Sequence, residues 1–257
     1  MNSSPLTSFV ATSSEDQQPA LKIAPSILAG DFANFKHELD RLNQTTCSYI
    51  HLDVMDGHFV DNLTFGAPMV KALRPHTDKV FDVHLMMKEP EKYLDEFIAA
   101  GSDIISIHRE IKGDVIAILQ SIRKAGKRAS LAINPNTAID DIEKYFPYVD
   151  QILLMSVHPG FSNQNFIPAV LTKGEEVAAK IRTYCRSYDR SRLADAVQAK
   201  CIDLEIDGGV NAENIIPILK SGFNVIVAGG YVFKADDLSV PISRLEQAAA
   251  SLAGLNV

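Results

Sequence analysis

"YIHLDVM", Tyr49 to Met55, is the stretch on which the fold turns. Successive side chains of an extended strand point to opposite faces. Ile50, Leu52 and Val54 therefore share one face, and Tyr49, His51, Asp53 and Met55 the other. "FDVHLM" repeats the pattern, with Phe81, Val83 and Leu85 opposing Asp82, His84 and Met86. So does "CIDLEID", where Ile202, Leu204 and Ile206 oppose Cys201, Asp203, Glu205 and Asp207. Polar groups in such strands are costly to bury unless they are paired or bound to a metal. Three strands with one apolar and one polar face fit a barrel that packs the first face under helices and turns the second inward.

Outward from Tyr49, short apolar runs alternate with helical stretches such as "DFANFKHELDRL" and "PEKYLDEFIAA". Strands are expected to begin near Lys22, Tyr49, Val80, Asp103, Arg128, Asp150, Ile202 and Asn224. "AAGSDII", "KAGKRAS" and "KSGFNVI" place Gly101, Gly126 and Gly222 where helices end in the left-handed conformation. Eight βα units over this length predict a single-domain (β/α)8 TIM barrel across residues 21–257, with an open doubly wound sheet as the competitor. Residues 1–20, rich in Ser and Thr and without Lys or Arg, are expected to be a disordered extension. The stretch from Phe166 to Lys200 is longest, room for the sixth helix and a charged insertion, "RTYCRSYDRSRLADAVQAK".

The 25 basic against 32 acidic residues, a formal charge of -7, argue against nucleic acid or an anionic membrane as partner. No apolar run approaches the roughly 20 residues of a membrane span. Residues 1–20 have neither the basic start and apolar centre of a secretory signal nor the Arg-rich character of a transit peptide. Cys47, Cys185 and Cys201 show no metal or disulfide spacing, so a reducing, cytoplasmic setting is expected. A homo-oligomer is expected from apolar residues on the barrel helices.

His51, Asp53, His84 and Asp207 fall late in their strands, at the end where barrels build active sites. Two imidazoles and two carboxylates suit one divalent ion, Zn, Fe, Mn or Co; a lone inward histidine is more often a hydrogen-bonded core residue. Later turns, "HPGFSNQNF", "DGGVNAEN" and "AGGYVF", collect at that same end. There Gly208, Gly209, Gly229 and Gly230 are expected to let backbone amides approach a phosphate, with Ser162 and Asn163 as side-chain donors, and Gly160 and Phe161 are expected to meet the substrate.

"IAPSILAGDF", "HLDVMDGHFVDNLTFG", "DVHLM", "VHPGF…Q.F", "DGG" and "AG", in this order from Lys22 to Phe233, resemble the ribulose-phosphate 3-epimerase family. The resemblance implies 3-epimerisation of D-ribulose 5-phosphate to D-xylulose 5-phosphate, in the pentose phosphate pathway, by two-base proton transfer at C3 through a metal-stabilised enediolate. It implies that His51, Asp53, His84 and Asp207 hold the metal, that Asp53 and Asp207 are the acid/base pair, and that no organic cofactor is needed. It implies that Ser26, His84, Met55, Met86 and Met155 meet the substrate, a small sugar phosphate. Without it, the methionines would read as core filler. The chain departs from the family pattern at Asp61, Ser162, Asn163 and Gly230, and "HRE" at His108 to Glu110 matches it. The alternatives are a hexulose-phosphate (allulose 6-phosphate) 3-epimerase and a phosphate-binding barrel that has lost catalysis. A related barrel decarboxylase would carry D-x-K where this chain has "DVH".

Overall fold

The computed structural model describes residues 20–161, 164–187 and 202–254. The strands are β1 (Lys22–Ala24), β2 (Tyr49–Met55), β3 (Val80–Met86), β4 (Ile104–His108), β5 (Arg128–Ile133), β6 (Gln151–Met155), β7 (Asp203–Asp207) and β8 (Val225–Val227). They form one parallel sheet in the order β1-β8-β7-β6-β5-β4-β3-β2. β1 meets β2 through a single bridge, Ser26 to His51, in which the His51 amide donates to the Pro25 carbonyl at 3.0 Å. That contact brings the two ends of the sheet together, and the open-sheet alternative falls away.

The helices are α1 (Phe35–Asn43), α2 (Ala67–Leu73), α3 (Leu94–Ala99), α4 (Val115–Lys124), α5 (Val170–Ser187), α6 (Ile215–Lys220), α7 (Gly230–Phe233) and α8 (Ser239–Gly254). Strand parity holds. Ile50, Leu52, Val54, Phe81, Val83, Leu85, Leu204 and Ile206 join the large core between strands and helices, while His51, Asp53, Asp82, His84 and Glu205 are buried on the other face. Gly101, Gly126 and Gly222 adopt positive φ where α3, α4 and α6 end.

One connection departs from the expected alternation. Between β5 and β6 the chain makes a 3-10 helix, Ile142–Tyr148, in place of an α-helix. Pro147 lies inside it, without the N–H that an α-helical turn would need and with a ring that restricts the residue before it. The sixth helix is thus α5, which runs on through "RTYCRS" to Ser187; the rest of the charged insertion and the 1–19 extension lie outside the described residues. Among the described residues no helix is long and apolar enough to cross a membrane.

The barrel's far end is closed by charge pairing. Asp203 accepts from Lys22 Nζ at 2.7 Å and from Arg128 at 2.5 Å, and Arg128 also donates to the Tyr49 hydroxyl at 2.6 Å. The other end is left for chemistry.

Candidate active site

His51 and Asp53 come from β2, His84 from β3 and Asp207 from β7. The strand register sets Asp53 beside His84 and His51 beside Asp82. One ligand atom from each of His51, Asp53, His84 and Asp207 lies within 4.8 Å of the other three. Four residues separated by up to 156 positions therefore meet at one point, as the strand pattern predicts.

Hydrogen bonding fixes what each presents there. His51 Nδ1 lies 2.8 Å from Asp82 Oδ2, leaving Nε2 fully buried, 3.3 Å from Asp53 Oδ1 and without a hydrogen-bond partner. His84 Nδ1 lies 3.1 Å from the same Asp53 oxygen. Asp53 Oδ2 accepts from Ser26 Oγ at 2.5 Å. An orphaned imidazole nitrogen and two carboxylates around one point call for a cation, because lone pairs facing each other repel. Imidazole and carboxylate ligands together match a divalent transition ion or zinc, so the residues fit the group.

In the bare protein a proton on His51 takes the place that a cation would fill. Burial would lower the His51 pKa, but Asp53 and Asp82 on either side raise it well above the ordinary value. Burial raises that of Asp53, yet His51 and His84 hold it well below the carboxylate range. For Asp207, burial and the nearby charge of Asp53 act together and push it up to about 7. His84 is brought down to about 4, chiefly by burial. One carboxylate is thus ionised while the other holds a proton near neutrality.

Above these residues opens a narrow cleft of about 60 Å³. Ser26, Asp53, Asp207 and the methionines Met55, Met86 and Met155 line it at depth; Gly160, Phe161, Gly208, Gly209, Gly229 and Gly230 line its rim. His51 and His84 sit behind Asp53 and do not line the cleft, so His84 is set back from where a substrate contact was expected. Ser162 and Asn163 lie outside the described residues. Gly208 and Gly209 have φ of 123° and 65°, and a Cβ on Gly209 would come within 2.9 Å of the Phe166 amide nitrogen.

Several contributors escaped the sequence reading. Gln164 lines the cleft and pins the loop after β6, its Nε2 donating to the His158 carbonyl at 2.6 Å and to that of Phe161 at 2.9 Å. Asn62 Nδ2 donates to the Gly160 carbonyl at 2.6 Å, joining the loop after β2 to that after β6. Asp56 holds its loop by accepting from the amides of His58, Phe59 and Lys88, each at 2.8 Å. Deeper in the barrel, Glu205 accepts from Gln151 Nε2 at 2.5 Å and lies 3.6 Å from His51 Nδ1. Burial and the charge of Asp82 raise its pKa well above the usual range.

With this geometry in hand, the comparisons with known proteins can be weighed. The model of the family described as Ribulose-phosphate 3 epimerase matches residues 22–233. Ribulose-phosphate 3-epimerase of Bacillus subtilis (strain 168) is 40% identical over 225 residues, 88% of this chain and 98% of that protein. The Synechocystis enzyme of the same name is 42% identical over 223 residues, 86% of this chain and 91% of that protein. Among solved structures, a 3-hexulose-6-phosphate synthase shares 17% identity at a TM-score of 0.54, covering 90% of this chain and 99% of the other. KGPDC from Streptococcus mutans shares 11% at a TM-score of 0.60, covering 90% and 97%. Likeness at that identity is one of fold alone. The match over nearly all of the barrel and the two relatives at 40% and 42% identity decide the family: this chain belongs to the ribulose-phosphate 3-epimerases.

Proposed function

We propose that the protein is an isomerase that interconverts D-ribulose 5-phosphate and D-xylulose 5-phosphate by moving the proton at C3. The observation that carries this reading is the meeting of His51, Asp53, His84 and Asp207, the two aspartates lining a cleft rimmed by glycines and the two histidines behind them. His51 through Nε2, His84 through Nδ1, and the two aspartates would hold a divalent metal ion. When bound, that ion supplies Lewis-acid stabilisation of the oxygens next to the reacting carbon, a contribution of several kcal/mol.

Inversion of a stereocentre needs a base on one side and an acid on the other. Asp53, ionised and steadied by Ser26, takes the C3 proton, and Asp207, which holds a proton near neutrality, returns one from the opposite face. In the reverse direction the roles exchange. Met55, Met86 and Met155 keep the reacting carbon dry, so the intermediate enediolate is reprotonated by a carboxyl group before bulk water reaches it. The glycine-rimmed loops after β6, β7 and β8 receive the phosphate through backbone amides, a grip that needs no basic side chain.

Asp53→Asn and Asp207→Asn each test the pair. In D2O, NMR of ribulose 5-phosphate should show exchange of the C3 proton slowed by 10²-fold or more in both variants, with the fold retained by circular dichroism. Near-normal exchange in either variant would remove that residue from the pair. Allulose 6-phosphate run in parallel measures how far the cleft accepts a longer chain.

A further inference from the structure

His84 has a second neighbour that the proposed chemistry does not use. Its Nε2 lies 2.8 Å from Nε2 of His108, at the end of β4, and both residues are fully buried. His108 Nδ1 lies 3.1 Å from Glu110 Oε2. Glu110 Oε1 accepts from the Asn134 amide at 2.8 Å and from Thr137 Oγ1 at 2.5 Å. The Phe59 ring packs against His108 with a centroid separation of 4.5 Å.

Two imidazole nitrogens at this distance share one proton, and the chain of contacts says which ring owns it. Burial raises the Glu110 pKa, but hydrogen bonds from His108, Thr137 and Asn134 bring it down to about 2. Glu110 is therefore an acceptor only. Facing it, His108 presents a hydrogen from Nδ1, so Nε2 is the nitrogen left to meet His84. When the proposed metal takes the His84 Nδ1 lone pair in place of a proton shared with Asp53 Oδ1, 3.1 Å away, His84 donates from Nε2 and His108 is its acceptor.

We infer that His108 and Glu110 are positioning residues: a relay from Glu110 through His108 fixes the tautomer of His84 so that Nδ1 is free to bind the metal. Neither reaches the cleft or the reacting atoms. The relay rests on the reading of His84 as a metal ligand and adds a cause for which of its nitrogens binds. The general rule that an imidazole ligand takes its tautomer from the partner of its other nitrogen here operates through a second imidazole.

The decisive variant is Glu110→Gln, nearly identical in shape. The donors on Asn134 and Thr137 hold the amide oxygen where Oε1 now lies, so the amide NH2 faces His108 Nδ1. His108 must then accept there and donate from Nε2, and His84 must accept and carry its hydrogen on Nδ1. Nitrogen-15 NMR of the imidazole side chains, assigned by single His→Gln variants, reads the tautomers directly in the zinc-loaded protein. With zinc bound, the wild type should show the Nε2–H form of His84 and the Nδ1–H form of His108; Glu110→Gln should lose the Nδ1–H form of His108. Zinc affinity, measured against a chromophoric chelator, should fall 10-fold or more in Glu110→Gln while the melting temperature of the metal-free protein changes little. Two results would overturn the relay: His108 carrying its hydrogen on Nε2 in the zinc-loaded wild type, or Glu110→Gln leaving the His108 tautomer and zinc affinity unchanged. Failure of the wild type to bind zinc, cobalt, manganese or iron would remove the metal-site reading itself, and the relay with it.

Discussion

Asp82 Oδ2 lies 2.8 Å from His51 Nδ1, and that one hydrogen bond leaves His51 Nε2 as the nitrogen directed into the site. Removing the carboxylate by Asp82→Ala should weaken binding of the metal 10- to 100-fold, the usual effect of losing a ligand's orienting partner. The check is a metal titration of the purified variant, with a circular dichroism spectrum to show that the barrel persists.

Asn62 fastens the loop after β2 to the loop after β6 through the Gly160 carbonyl. Its neighbour Asp61 is exposed, and the Asn62 amide is a side-chain tie from this loop to the one after β6. Asn62→Ala should raise KM about fivefold with little change in kcat, equivalent to a hydrogen bond of about 1 kcal/mol. A fall in kcat at unchanged KM would place Asn62 in the chemistry.

Asp207 links pH to stability in the metal-free protein. Its folded pKa of about 7 lies above the unfolded value near 3.8. The folded state therefore keeps a proton that the unfolded chain releases. The associated stability is present below about pH 4 and lost as pH rises through 7, a change on the order of 4 kcal/mol. Asp207→Asn, which mimics the protonated acid, should melt above the wild type at pH 8 when metal is stripped from both. The gap should close at pH 4. Saturating metal at 100 times its Kd should add about 2.7 kcal/mol to the wild type.

At the closed end of the barrel, Asp203 serves two cations, Lys22 and Arg128. Asp203→Ala leaves the largely buried Arg128 without its counter-charge and should cost about 3–5 kcal/mol. Thermal melting measures the loss, and activity per folded molecule should stay near the wild-type value because the cleft opens at the opposite end.

Period-two alternation was enough to send His51, Asp53, His84 and Asp207 inward, since a strand side chain has only two directions to choose from. It also sent Asp82 and Glu205 inward, but it could not say what they touch. That depends on register between strands, which sets His51 opposite Asp82 and Asp53 opposite His84; no single strand encodes it. His108 and Glu110 were visible as a spaced pair, whereas their link to His84 needs the curvature that carries β4 beside β3. The 3-10 connection before β6 was hidden because eight strands were taken to imply eight α-helical crossovers, and Pro147 weighs against that only locally. The methionines read as filler for a related reason: an apolar side chain looks the same in a core and in the wall of a cleft.

The bridge between Ser26 and His51 gives these two positions a double duty. The first and last strands of the sheet order meet beside the proposed metal ligands, so ring closure and assembly of that cluster are one event. A folding intermediate with that seam unzipped would lack a working centre however complete its other strands, and changes that retune Ser26 or His51 chemically also act on the latch of the whole cylinder.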